Sequence, residues 1–500
     1  MKTIYKIILI LVIVITFLSC DDWLYLKPED GIIRDEFWNS KEDVELAMIG
    51  CYASLLGNTG GEKTYDIPTL LFVDGEIRAD MLVIGKVNND YLKFLYGDIE
   101  PDNGLCRWDA FYRIINLCNN LLYYAPIVKT KDNSFTDKKL NEYKAEALAL
   151  RSLMYFYLTR LYDEVPLKLD ATLSDNNNYA IPKSTRAEVF KQIKQDLKIA
   201  EKYIPISFGD NNSDKGRITK QTVNAIQADV YLWCNQYDSA LLECDSIIKS
   251  GKYGLVEGSE QGFIQLFVTG NSPESLFELQ FHQNKLNPYY SMFVKNYYLR
   301  GNPDVIEDVF LSDPEASPDS ADIRGDGYSY RTALSYTIWK YIGVSKRIAR
   351  TENESYAHFI IYRYADILLM KAEALAQLGY GKEALAIVNN TIRKRANASK
   401  TTAYDGADDD IDAISNFILK ERQRELAFEG KRWFDVLRNA KRDNYRKKDI
   451  IINALVKGAP ADKSETIKAK AQDTLYHYLP IPYNELNTNK LLKQNPFYEH

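Results

Sequence analysis

Apolar residues recur at spacings of three and four through most of this 500-residue chain, the period of helices that bury one face. Glu42 to Leu56 and Trp108 to Tyr124 are two such stretches. Lys139 to Tyr162 is longer and stronger, containing "LNEYKAEALALRSLMYFYLTRLY" before Pro166. Thr185 or Ser184 is placed to cap the next helix, with Glu188 as capping-box partner and Pro205 as its end. A short strand is predicted at Ser275 to Phe281, "SLFELQF".

Two segments repeat one pattern. Ala228, Tyr231, Ala240 and Cys244 have the same offsets as Ala372, Leu375, Ala384 and Val388, with "NQYD" and "LGYG" as the intervening turns. Small residues at these offsets let two antiparallel helices approach closely, as in a tetratricopeptide (TPR) hairpin. The repeats lie 144 residues apart, Ala228 to Ala372, so a large segment intervenes. Residues 57–106 and 251–360 are irregular and rich in Gly and Pro, and their Tyr and Phe content argues against disorder. From Ile418, "ILKERQRELAFEGKRWFDVLRNAKR" predicts one amphipathic helix. Leu419, Leu426, Trp433 and Leu437 line one side, and Glu421–Arg424, Glu429–Arg432 and Asp435–Arg438 form pairs three apart. These charges are expected to be a structural ion-pair network and not catalytic groups.

The N-terminus has a separate logic. Lys2 and Lys6 precede an apolar run from Ile7 that reaches Ser19, too short to span a bilayer and of the form of a secretory signal. Cleavage before Cys20 leaves an N-terminal cysteine, and Leu18-Ser19-Cys20 resembles the end of a bacterial lipobox, with Phe17 where Leu is usual. Durable attachment needs more than one acyl chain, so Cys20 is expected to carry a diacylglycerol and an N-acyl group. Asp21 and Asp22 resemble the surface-export signal of Bacteroidetes lipoproteins.

Loss of Lys2 and Lys6 takes the cations from 63 to 61 against 69 Asp and Glu, a net charge of −8. Such an acidic chain lacks the basic footprint of a nucleic-acid binder. Cys51, Cys106, Cys118, Cys234 and Cys244 are odd in number and show no CxxC spacing, which predicts buried thiols and neither a disulfide framework nor a zinc site. The four His, His282, His358, His477 and His500, have no metal-binding spacing, and no GxSxG, Walker or GxGxxG motif is present. No cofactor, metal or catalytic residue is implied.

Five separated motifs resemble the SusD/RagB family, the surface nutrient-binding lipoproteins of Bacteroidetes, over essentially the whole mature chain. They are "DDWLYLKP" after Cys20, "AEALALRSLMYFYLTRLYDEVPL" from Ala145, the segments from Phe359 and Ile418, and "YHYLPIPYNELNTNKLLKQNPFY" from Tyr476. Asp163 and Phe497 stand at turn positions where that family usually has Gly. The resemblance implies a mainly all-α, SusD-like fold in which TPR-like hairpins pack against a loop-rich ligand-binding part. It divides the chain into a signal (1–19), an N-terminal region with the first ligand loop (20–250), a loop-rich insertion (251–360) and a C-terminal region (361–500). It also implies a TonB-dependent outer-membrane transporter of the SusC type as partner, an oligosaccharide ligand, and a lipid-anchored location on the outer membrane facing the exterior.

Sugar rings stack on flat aromatic faces while Asp, Asn and Arg bond their hydroxyls. The irregular regions therefore nominate Tyr65 and Asp66, Arg78 and Asp80 where the family's first ligand loop begins, and Tyr289, Tyr290, Tyr297, Tyr298 and Arg300 in the insertion. The aliphatic "MLVIG" after Asp80 argues that the stacking arc of starch-binding members is not preserved, and Trp339-Lys340-Tyr341 matches a structural motif expected in the core. A peptide-binding uptake lipoprotein of the RagB type, a glycoside hydrolase and a ligand-free TPR scaffold remain as alternatives. A Cys20→Ala variant is expected to leave the membrane fraction or to accumulate unprocessed, while the folded part still binds ligand. Detergent-phase partitioning and intact mass check this.

Overall fold

The computed structural model describes residues 37–57, 65–173, 180–311, 322–401, 404 and 409–499. The signal, Cys20 and the two aspartates after it lie outside the described residues.

The N-terminal half is a stack of antiparallel helices. Helix α1 (Lys41–Leu55) starts at a capping box between Ser40 and Asp43 and buries Val44, Met48, Cys51 and Leu55 at spacings of four, three and four. Between α1 and the next long helix lie α2 (Ile67–Glu76), strand β1 (Leu82–Ile84) and α3 (Asn89–Leu95). Helix α4 (Asp109–Lys131) packs on α1 and is longer than the pattern predicts: Pro126 sits inside it, and buried Ala125 and Val128 carry the helix through.

Helix α5 (Asp137–Tyr162) is buried along nearly its whole length from Glu142 onward, between α4 and α6 (Arg186–Tyr203). A helix enclosed on all sides must pair its charges. Arg151 donates to Asp196 at 2.7 and 2.9 Å, and Glu146 accepts from Arg217 at 2.6 Å. It ends at Asp163, whose φ of 68° is the left-handed geometry that favours glycine. Thr185 caps α6, with Glu188 completing the capping box.

The two repeats form the predicted hairpins, α7 (Lys220–Trp233) with α8 (Tyr237–Lys249), and α9 (Tyr364–Gln377) with α10 (Gly381–Ile387), which continues in π-turns over Val388–Arg393. Ala228, Ala240, Cys244, Ala372, Ala384 and Val388 are all fully buried. The turns match too, with Asn235 at φ 58° and Gly379 at φ 84°. Helix α8 packs directly on α9, and Lys371 bonds Asp245 at 2.6 Å across the contact, so repeats distant in sequence are neighbours in space.

The insertion leaves and returns at one place because β2 (Ser275–Leu279) pairs antiparallel with β6 (Phe359–Arg363), Leu279 opposite Phe359 and Ser275 opposite Arg363. Within it lie β3 (Leu299–Gly301), paired with β1, and the short pair β4 (Tyr330–Arg331) and β5 (Thr337–Ile338). Trp339, Lys340 and Tyr341 are buried, as expected. So are Cys51, Cys106, Cys118 and Cys244, while Cys234 is half-buried.

The segment from Ile418 is not one helix. α11 (Ile411–Glu425) stops, a turn with Phe428 and Gly430 at positive φ intervenes, and α12 (Arg432–Tyr445) follows, then α13 (Asp449–Gly458). A Cβ on Gly75 of α2 would stand 2.0 Å from the Gly430 carbonyl oxygen, so two glycines are needed for the turn to seat on α2. The break redistributes the ion pairs. Glu421–Arg424 (3.4 Å) and Asp435–Arg438 (2.8 Å) form, but Glu429 faces Arg363 (2.8 Å) and Lys340 (2.5 Å) instead of Arg432.

Arg363 also bonds Glu274 (2.6 Å) and Glu425 (2.7 Å), and Arg324 reaches Glu421 (2.7 Å) and Glu425 (3.1 Å). Burial opposes the Glu425 charge, yet Arg395, Arg363 and Arg324 hold its carboxyl well below the usual range. Glu425→Ala is expected to cost about 3–5 kcal/mol, because it strands buried guanidinium groups without a counter-charge. Urea denaturation at neutral pH measures it.

Candidate functional site

Two loops more than 200 residues apart in sequence, residues 78–91 and 289–300, meet through a short ladder. Val83 of β1 lies opposite Arg300 of β3, and the pairing runs on as Gly85 and Lys86 donate to the carbonyls of Tyr298 (2.8 Å) and Tyr297 (2.9 Å). A Cβ on Gly85 would lie 2.1 Å from the Tyr297 oxygen, so the close approach requires glycine there.

Asn88 then caps α3, its side chain accepting from the backbone of Asp90 and Tyr91. Tyr91 is thereby held under the surface, 2% exposed, with Tyr65 stacked on it at 5.7 Å and Tyr298 edge-on at 5.8 Å. The Tyr65 hydroxyl donates to Asp90 Oδ2 at 3.0 Å, and burial together with the Asp90 charge pushes its pKa up, so it stays a neutral donor. Tyr297 beside them is 41% exposed, with the Arg300 guanidinium 5.3 Å from its ring centre. Arg300 is itself fixed by the carbonyls of Leu334 (2.5 Å) and Ser335 (3.2 Å) and by Thr337 Oγ1 (2.7 Å). Tyr336, next to those anchors, is stacked on Tyr330 at 5.9 Å and bonds Glu307 at 2.8 Å.

Thus Tyr65, Tyr297, Tyr298 and Arg300 share one surface, and Tyr290 is half-buried near Ser355, whose Oγ accepts from its backbone N–H at 3.2 Å. The other nominated residues serve the interior. Asp66 is the N-cap of α2, accepting from Thr69 N at 3.0 Å. Arg78 donates to the carbonyls of Tyr476 (2.5 Å) and His477 (2.7 Å) and lies 4.3 Å over Trp433. Tyr289 is fully buried between Tyr341 (4.5 Å) and Phe293 (5.9 Å), its hydroxyl on the Pro68 carbonyl. Asp80 takes two 2.8 Å bonds from Arg432, and this pair lies at the edge of a surface groove of about 780 Å³ with Lys420 and Lys457 on its rims. Tyr91, Asp90 and Tyr336 were not nominated. The Asn88 cap ahead of "DY" is the signal in the sequence that points to the first two.

The last turn of α2, ahead of β1, also buries two carboxyls, Asp74 and Glu76. Burial pushes Asp74 well above the usual carboxylate range and Glu76 up to about 8, although Lys431 and Gly430 N–H groups bond the Glu76 carboxyl. A raised acid keeps its proton in the folded chain while the unfolded chain loses it, so stability falls as pH rises from about 4.5 to about 8 and levels off above. Glu76→Gln keeps the bonded oxygen and removes the titration. Its urea midpoint should fall less than that of the wild type between pH 5 and pH 8.

Two family models match the chain: one described as the SusD family over residues 292–498, the other described as starch-binding associating with outer membrane over residues 39–232. SusD-like protein P38 of Formosa agariphila is 28% identical over 467 residues, 85% of this chain and 88% of that protein. SusD-like protein P2 of the same organism is 27% identical over 474 residues, 87% of this chain and 90% of that protein. Among solved structures, a SusD superfamily protein from Bacteroides vulgatus has a TM-score of 0.74 at 21% identity, covering 92% of this chain and all (100%) of its own. A SusD-like carbohydrate binding protein from Bacteroides fragilis has a TM-score of 0.71 at 20% identity, covering 91% of this chain and 100% of its own.

Proposed function

The chain belongs to the SusD/RagB family, and from that premise we propose that it captures an oligosaccharide without transforming it and passes it to a SusC-like TonB-dependent outer-membrane transporter. Cys20 holds it to the outer membrane through lipid, on the exterior face. The ligand lies across the surface built by Tyr65, Tyr297, Tyr298 and Arg300.

The observation that carries this reading is the Tyr297 ring, exposed beside a guanidinium anchored through its Nη1. Such a ring offers one apolar face to the C–H face of a sugar, and the anchored Arg300 offers donors beside it. A peptide held by its main chain calls for an enclosed cavity, whereas this face is open. The arc is made of tyrosine and not tryptophan, so each stacked ring adds a moderate amount, about 0.5–1.5 kcal/mol.

Calorimetry of the soluble chain from residue 21 against a glycan panel tests the reading. Tyr297→Ala and Tyr298→Ala are each expected to weaken binding by about threefold to tenfold, with Tyr297→Ala leaving the thermal midpoint nearly unchanged. Tyr289→Ala should instead unfold the chain earlier, because it opens a cavity among Phe72, Phe293 and Tyr341. Undiminished binding by both surface variants would move the ligand elsewhere.

A further inference from the structure

A second, smaller pocket lies away from the tyrosine surface, where the insertion meets the ion-pair network. Its outer wall is apolar: Phe263 packs edge-on against Tyr328 at 5.1 Å and against Phe267 at 5.4 Å. The lining also carries four cations, Arg324, Lys340, Arg363 and Arg395, with two carboxylates, Glu257 and Glu425, while Glu274, Glu421 and Glu429 pair with those cations without lining the pocket.

Among the described residues, two donors in this wall have no acceptor. Ser329 is 1% exposed and its Oγ has no partner, and the Arg395 Nε is buried and likewise unpartnered. Leaving a buried donor unmet costs about 1–3 kcal/mol, so the pocket favours an occupant that brings acceptors. Glu425 cannot supply them, since Arg324, Arg363 and Arg395 already engage it. The interior space is about 50 Å³, well below the roughly 300–1,000 Å³ of drug-sized ligand sites, which suits a small occupant.

We propose that this pocket is a binding site for a short-chain monocarboxylate of the size of acetate. The carboxylate accepts from Ser329 Oγ and Arg395 Nε within reach of the Lys340 ammonium, and the methyl group faces Phe263, Phe267 and Tyr328. An apolar chamber with a few fixed donors at one end is the usual design of a small-molecule site, and charge-assisted bonds supply its selectivity. Because the segment 256–267 and the loop 323–329 both line the pocket, occupation ties two parts of the insertion to the network. The site is independent of the glycan reading.

Titration of the soluble chain with ¹³C-acetate, followed by line broadening and by chemical shift, tests it. Acetate and propionate should bind saturably, while methylammonium, of similar size and opposite charge, should not. Ser329→Ala, which keeps the pocket shape and removes the unmet hydroxyl, should weaken acetate about tenfold while raising the thermal midpoint in acetate-free buffer. Absence of saturation up to about 50 mM acetate, or equal affinity in Ser329→Ala, would overturn the assignment and leave the pocket to solvent.

Discussion

A guanidinium buried without a counter-charge costs several kcal/mol, and Arg363, at 2% exposure, meets three carboxylates from two distant parts of the chain. Glu274 precedes the strand that opens the insertion's pairing, Glu425 ends α11, and Glu429 sits in the turn that separates α11 from α12. None can leave for water without stranding another. Against well-packed apolar residues such a cluster is close to neutral in energy. Its consequence is positional: the insertion rejoins the helical hairpins at Arg363, so the cluster fixes the β2–β6 pairing where the insertion leaves and returns.

The helical architecture was legible because its signals are local. The small-residue offsets that start at Ala228 and Ala372 are packing constraints between adjacent helices, and both hairpins formed with a left-handed residue at the same place in each turn. The capping box at Thr185 is equally local. What the pattern misplaced depended on distant partners. The charged segment after Ile418 has helical periodicity throughout, but Gly430 must close on Gly75, and Glu429 finds its cations in the insertion. Tertiary contact therefore overrides the i,i+3 pairing of Glu429 with Arg432.

The site was less legible for the same reason. A tyrosine in a loop looks alike whether its ring is packed or presented. Tyr289 and Tyr297 stand eight residues apart in one aromatic run, yet the first is sealed among Phe72, Phe293 and Tyr341 and the second faces solvent. The difference arises from the β1–β3 ladder, which no local spacing announces. Arg78 and Asp80 flank the same ladder, but their charges were already claimed, one by the carbonyls of Tyr476 and His477 and the other by Arg432. Polar residues near a binding loop are thus as apt to hold the loop as to touch what it binds.

Tyr297 shows how holding and presenting are joined. Its φ of 36° is uncommon for an aromatic residue and costs of order 1 kcal/mol or more, a strain that persists only where neighbours fix it. Here its carbonyl accepts from Lys86, the carbonyl of Tyr298 accepts from Gly85, and Arg300 is bound by three oxygens from the β5 side. With the backbone held from both sides, the ring is kept part-exposed beside Arg300. Under the proposed function, a stacked sugar would not have to order this loop, which matters most where each ring contributes little by itself. The capture surface we propose would therefore rest on strain met by the scaffold and not by the ligand.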